Sequence, residues 1–185
     1  MAFIIISAIN IQKFKYLFLY FYSSHVSPPF ISTFSQTLKY QKSLVFSESC
    51  QPFITAGSGT LGWESVGCNL VNPGDDVLVL NTGYFGDEFA NCLTVHGGNI
   101  QHLRSEIGNP TDIKELESIL SRKQFKIVTI THVDTSTAVL QDIKTISEVI
   151  HKIQPQALVV VDGVCSVGSE LIKFDDWGID VSIVF

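Results

Sequence analysis

An α/β fold with a mostly parallel, doubly wound sheet is what three observations in this 185-residue chain predict. Apolar runs of strand length recur at residues 53–56, 77–80, 126–131, 157–161 and 181–185, too uniformly apolar for strands with one wet face. Between them lie stretches whose apolar residues follow helical spacing, the alternation that builds parallel sheets by crossover connections. The third observation is where the runs end. Ala157-Leu158-Val159-Val160-Val161 delivers Asp162 to a glycine-containing turn, and the carboxyl ends of parallel strands are where open α/β sheets bind ligands. On this stretch alone Asp162 is either a carboxylate facing a ligand or a turn and cap residue.

In chain order, residues 1–23 differ in texture from the rest of the chain. Phe3-Ile4-Ile5-Ile6 and the run 17–22 are apolar, with Lys13 and Lys15 between them. Both runs are shorter than the roughly 18 apolar residues of a membrane span, and a signal peptide would carry its lysines before its apolar core. The segment therefore reads as an N-terminal stretch unrelated to the domain, which starts at residue 24. Ser27 before Pro28 and Pro29 suits a helix start, and Phe30, Phe34, Leu38 and Val45 near helical spacing make that helix amphipathic.

The strand at 53–56 runs into Gly57-Ser58-Gly59-Thr60 and a helix-like stretch to Leu70. Glycines that let backbone amides approach, two hydroxyls and a helix start together form an anion cradle, with a tight turn as the plainer alternative. The pattern lacks the lysine of a P-loop and the distal acidic residue of a dinucleotide fingerprint. After the strand 77–80 comes Asn81-Thr82-Gly83-Tyr84-Phe85-Gly86, where an aromatic could stack on a planar ligand or pack into the core. A helix over 87–95 ending at Gly97-Gly98, an edge strand at 99–103 and a helix over 113–120 come next. The strand 126–131 delivers His132-Val133-Asp134-Thr135-Ser136-Thr137, a run of short polar side chains suited to oriented hydrogen bonds, with His132 read as structural. A helix over 140–153, the Asp162 strand and a turn over 174–180 lead to the last run, 181–185, which reads as an unpaired sheet edge.

Composition narrows the partners. A formal net charge of -6 with no basic cluster argues against nucleic acid or an anionic membrane surface, leaving small molecules. Cys50, Cys68, Cys92 and Cys165 show no C-x-x-C pairing, so the expectation is no metal site, no disulfide framework and reduced thiols in an intracellular compartment.

The motifs Ser24-His25-Val26-Ser27-Pro28-Pro29-Phe30, Gly57-Ser58-Gly59-Thr60-Leu61-Gly62-Trp63, Gly83-Tyr84-Phe85-Gly86-Asp87, Thr131-His132-Val133-Asp134-Thr135-Ser136-Thr137, Val161-Asp162-Gly163-Val164-Cys165-Ser166 and Phe174-Asp175-Asp176-Trp177-Gly178-Ile179-Asp180 occur in one order. In that order they resemble the class V aminotransferases, within them the alanine–glyoxylate (serine–pyruvate) group. The resemblance implies a partial cofactor-binding large domain over residues 24–185 and pyridoxal 5'-phosphate as cofactor. It implies an amino acid and a 2-oxo acid as substrates and a homodimer in the full-length parent. By the same resemblance Ser58, Gly59 and Thr60 hold the cofactor phosphate, Phe85 stacks on its ring, Thr135 bonds near its phenolic oxygen, and Asp162, the catalytic residue, pairs with the ring nitrogen.

The departures from the family are specific. The family's lysine, in a Ser-Gln-Lys motif after the strand that comes behind Gly178-Ile179-Asp180, has no counterpart in Val181-Ser182-Ile183-Val184-Phe185. The expectation is a fragment that is inactive alone. Two other readings stand beside it: a fragment of a cysteine desulfurase-like lyase on the same scaffold, and a non-catalytic remnant kept for dimerisation or ligand binding. The compartment, whether peroxisome, mitochondrion or cytoplasm, is not distinguished.

Overall fold

The computed structural model describes residues 24–184 and, by backbone, the strand 3–7. Strands β1 (Phe3–Ser7), β2 (Gln51–Thr55), β3 (Asp76–Asn81), β4 (Asn99–Arg104), β5 (Ile127–Thr131), β8 (Leu158–Asp162) and β9 (Val181–Val184) form one seven-stranded sheet in the order β2-β1-β9-β8-β5-β3-β4. Every neighbouring pair in it is parallel. A two-stranded antiparallel ribbon, β6 (Val133–Asp134) with β7 (Val139–Leu140), stands apart. Helices α1 (Pro28–Leu44), α2 (Gly59–Leu70), α3 (Tyr84–Val95), α4 (Ile113–Arg122) and α5 (Ile143–Ile153) complete the described elements.

The strands are apolar on both faces because both faces are covered. Leu78 and Leu80, Val128 and Ile130, and Val159 and Val161 point into one core with Leu116 and Leu120 of α4 and Ile143, Ile146 and Ile150 of α5. The intervening Val77, Val79, Ile127 and Val160 point into a second core with Trp63 and Val66 of α2 and Phe89, Ala90 and Leu93 of α3. Alternate side chains go to opposite faces of a strand, so a run with no polar break is what a sheet between two helix layers requires. Truncating one of the fully buried leucines to alanine in such a core costs about 2–5 kcal/mol.

Several expectations are corrected by the fold. Residues 3–7, read as outside the domain, pair on both sides, Phe3 with Gln51 of β2 and with Val181 of β9. A run of β-branched residues is suited to an interior strand, and its shortness hides it beside the lysines further along. The rest of the segment 1–23 lies outside the described residues. The same pairing corrects the edge assigned to 181–184, since β9 sits between β8 and β1; the sheet edges are β2 and β4.

The helix expected from 87 begins at Tyr84, because Gly83 takes the N-cap position. The helix expected from 140 begins at Ile143, capped by the Asp142 carboxylate accepting from the Thr145 amide, while Val139–Leu140 form β7. Helix α1 is present but buries none of its residues, leaving Ile31, Phe34, Tyr40 and Leu44 exposed. No helix among the described residues is long and apolar enough to cross a membrane.

Candidate functional site

From β3 the chain crosses by α3 to β4 on one side, and from β5 it continues by α5 to β8 on the other. Connections that leave adjacent strand ends in opposite directions open a crevice between them, the place where open α/β sheets bind ligands. The polar residues singled out in the sequence collect there.

The ends of β3 and β5 are tied to each other. The Tyr84 amide donates to the Ser136 hydroxyl at 2.9 Å, and the Thr137 hydroxyl donates to the Thr82 carbonyl at 2.9 Å. Gly83 is extended (φ 173°), open to any residue; what requires glycine is space, since a Cβ there would meet Ser136 Oγ at 2.5 Å and Asp134 Oδ1 at 2.8 Å. Asn81 orients the turn, its carbonyl oxygen accepting from the Gly83 amide at 3.1 Å and its amide donating to Asp87 at 2.8 Å. Arg104 beside Asp87 holds that carboxyl below its usual range.

Asp134 is fully buried. Its Oδ1 accepts from the Ser136 amide at 3.1 Å and hydroxyl at 2.6 Å, while Oδ2 has no partner among the described residues. Thr82 Oγ1 and His132 Nδ1 are likewise buried without partners. Three of the eight such atoms among the described residues thus fall on these two neighbouring chain ends, open to a partner that the chain does not supply. Burial pushes His132 down to about 4, so at neutral pH it is an uncharged imidazole.

Asp162 closes β8 with only 5 % of its surface exposed. Its Oδ2 accepts from Trp63 Nε1 at 2.8 Å and its Oδ1 from the Val164 amide at 3.0 Å, and the neighbouring His132 amide donates to the Asp162 carbonyl at 2.9 Å. No cation of the chain meets this carboxylate among the described residues. Burial raises its proton affinity against the two donors that lower it, and the charge of Asp134 raises it further. A carboxylate held this way gains from a protonated nitrogen brought by a ligand.

Trp63 sits in the first half of α2, stacked on Phe89 at 5.5 Å, and so joins that helix to Asp162. Helical periodicity marks it only as a core residue; its position one turn after Gly59 is the signal that could have singled it out. At the start of α2, Ser58 is the N-cap but its hydroxyl makes no capping bond; it pairs with the Thr60 hydroxyl at 2.5 Å. The first amides of the helix stay available beside two hydroxyls, the chemistry of an anion site. A Cβ on Gly59 would lie 3.4 Å from Val164 Cγ2, which places the cradle next to the Asp162 turn.

Phe85 lies in the first turn of α3, half-buried, edge-on to Tyr84 at 5.4 Å and packed against the core of Trp63 and Phe89. Thr135 is exposed between β6 and β7 and makes no hydrogen bond among the described residues; Ser136 and Thr137 carry the bonds that shape that turn.

Two clefts of about 320 Å3 are present, one reaching the site only through His132 and lined also by Gln141, Leu171 and Trp177, the other lined by Phe53, Ser65, Leu70 and Val181. Neither is lined by Asp162, Thr135, Phe85 or the cradle. The candidate site is defined by its carboxylates and hydrogen-bond donors at the strand ends rather than by either cleft.

Residues 50–184 match the Aminotransferase class-V family. The chain is 42 % identical over 166 residues to alanine–glyoxylate aminotransferase 1 of Saccharomyces cerevisiae, covering 86 % of this chain and 43 % of that protein. It is 30 % identical over 162 residues to L-aspartate–glyoxylate aminotransferase of Paracoccus denitrificans, covering 86 % of this chain and 41 % of that one. The crystal structure of an alanine–glyoxylate aminotransferase from Nostoc sp. superposes with a TM-score of 0.83 over 92 % of this chain and 45 % of that chain, at 24 % identity. The chain thus spans less than half the length of these relatives. With that match over 50–184 and the cradle, crevice and buried Asp162 falling inside it, the chain belongs to the class V aminotransferases, a pyridoxal-phosphate-dependent family.

Proposed function

We propose that this chain is the cofactor-holding part of a transaminase that moves an amino group from alanine or serine to glyoxylate or pyruvate. The observation that carries the reading is Asp162, a buried carboxylate with two donors and no cation among the described residues. The residues present fit pyridoxal 5'-phosphate: hydroxyls and helix amides at Ser58, Gly59 and Thr60 for its phosphate, the Phe85 ring for its face, the free Thr135 hydroxyl for its phenolic oxygen, and Asp162 for its nitrogen. When bound, the cofactor supplies an electron sink for the carbanion formed at the substrate's α-carbon.

The chain's own part is to hold and to polarise. Asp162 keeps a proton on the nitrogen it faces, and Trp63 and the Val164 amide hold its two oxygens so that its lone pairs keep one direction. Neutral His132 adds no competing positive charge beside it. Ser58 and Thr60, with the α2 dipole, anchor the anionic end.

The four lysine ion pairs among the described residues, Lys123 with Asp76, Lys126 with Asp75, Lys144 with Glu148 and Lys173 with Asp176, involve none of the site residues. By the resemblance, the family's lysine has no counterpart in Val181-Ser182-Ile183-Val184-Phe185, so the 185-residue chain alone is expected to bind the cofactor without turning over. Homodimer formation by the full-length protein belongs to the same reading, and four unpaired cysteines fit a reducing, intracellular setting.

The test is equilibrium binding of pyridoxal 5'-phosphate to the purified chain, read by quenching of tryptophan fluorescence. Expected is saturable binding that falls about tenfold or more in Asp162→Asn, as loss of a charge-assisted bond worth about 1.5–3 kcal/mol requires. Equal binding by Asp162→Asn, or turnover of alanine plus glyoxylate by the chain alone above the rate of free cofactor, would contradict it.

A further inference from the structure

Away from the crevice, on the outer face of the helix layer, two chemistry-bearing pairs face each other. Glu64 and Cys68 are four residues apart on α2; Cys92 on α3 and His96, its C-cap, are four apart on the neighbouring helix. Residues four apart share one helix face, so each helix presents a two-donor half-site. The carboxylate of Glu64, the sulfur of Cys92 and a ring nitrogen of His96 all lie within 4.8 Å of one another. Glu64 Oε2 and His96 Nε2 are 2.6 Å apart, and Cys68 Sγ is 3.9 and 4.0 Å from the two His96 nitrogens. Gly67 makes this possible, since a Cβ there would meet His96 Cδ2 at 2.2 Å.

We propose that Glu64, Cys68, Cys92 and His96 form a binding site for a tetrahedral transition-metal ion, Zn2+ by the chemistry of its donors. With zinc bonds of about 2.0–2.3 Å, donors around a tetrahedral ion stand about 3.3–3.8 Å apart, so side-chain rotations alone bring the three clustered donors into range. Cys68 is exposed and free to swing in as the fourth. Two sulfurs, one imidazole and one carboxylate suit zinc better than the hard cations that take oxygen alone. Each thiol passes its proton to water as its sulfur binds, and no oxidation state changes. The expectation of no metal rests on C-x-x-C spacing, whereas helical half-sites space their donors as E-x-x-x-C and C-x-x-x-H. The ion would staple α2 to α3 at the ends remote from the crevice, fixing the two helices whose first turns carry the Ser58–Thr60 cradle and Phe85.

The experiment is titration of the full chain, stripped by chelator and kept reduced, with Co2+ as a spectroscopic stand-in. Expected is one equivalent giving the strong visible bands of tetrahedral cobalt with a thiolate charge-transfer band in the near ultraviolet, displaced by Zn2+. Cys92→Ser and His96→Gln should weaken binding by about tenfold or more, given that loss of even an outer-shell partner costs about 10–100-fold. Because Cys92 is half-buried, the exposed variants Cys68→Ser and Glu64→Gln serve as the arm that leaves folding intact; each should lower affinity, and Cys68→Ser should also cut the charge-transfer band. Cys165→Ser should change nothing. A weak octahedral cobalt spectrum, or Cys68→Ser and Glu64→Gln variants that bind like the parent, would overturn the site.

Discussion

At the amino ends of β3 and β5, Asp75 meets Lys126 at 2.5 Å and Asp76 meets Lys123 at 2.7 Å, all of them reached by solvent. At the carboxyl ends of β5 and β8, Asp134 and Asp162 are buried, and among the described residues neither has a lysine or arginine partner. The bonded lysines hold Asp75 and Asp76 below the usual 3.8, while burial lifts Asp162 above it. Asp75 and Asp76 at one end of the sheet and Asp162 at the other thus carry opposite shifts. Those at the strand starts are satisfied within the chain and close it off; those at the strand ends hold a deficit that a ligand can fill.

The largest effect should come from Asp162→Asn in a fusion extending the chain to the length of its yeast relative. An amide cannot keep a proton on the nitrogen it faces, so turnover should fall by more than the roughly 100-fold that the lost charge-assisted bond alone represents, with cofactor retention affected less. Without cofactor, the parent should lose stability as pH rises from 3.8 through the raised folded value, because the Asp162 carboxyl binds a proton more tightly folded than unfolded, and the asparagine variant should lack that pH dependence. A normal rate with a lowered melting point would reduce Asp162 to a turn residue.

His132 carries the opposite sign. Its folded value of about 4 lies below the usual 6.5, so the unfolded chain takes up the proton first and native stability is lost as pH falls from 6.5 towards 4. The loss amounts to about 3 kcal/mol, and melting curves of His132→Gln across that range should be flatter than the parent's on the acid side. An identical slope would mean that His132 titrates as it does in water.

Smaller effects separate the two ends directly. Trp63→Phe keeps the stack on Phe89 but removes the donor to Asp162 Oδ2, and should cost about 1–3 kcal/mol in chemical denaturation. Lys126→Ala at the strand start removes a half-buried but solvent-reached pair and should lower the melting temperature less than Trp63→Phe does. If Lys126→Ala proved the more damaging of the two, the contrast between the ends would collapse.

Much of the fold and of the crevice is legible in the sequence because it is local. Uninterrupted apolar runs require a sheet covered on both faces; glycines and hydroxyls after β2, aromatics after β3 and a carboxylate after β8 are properties of short segments, and the resemblance assembles them in order. What only the tertiary structure decided is pairing between distant segments. Residues 3–7 look like a short apolar leader until β2 and β9 supply hydrogen bonds on both sides. Trp63 becomes a partner of Asp162 across 99 positions, and Glu64, Cys68, Cys92 and His96 become neighbours only because α2 and α3 lie side by side. Periodicity records which face of an element is buried; it carries no term for which other element will cover that face, and that choice is made by the packing of the whole sheet.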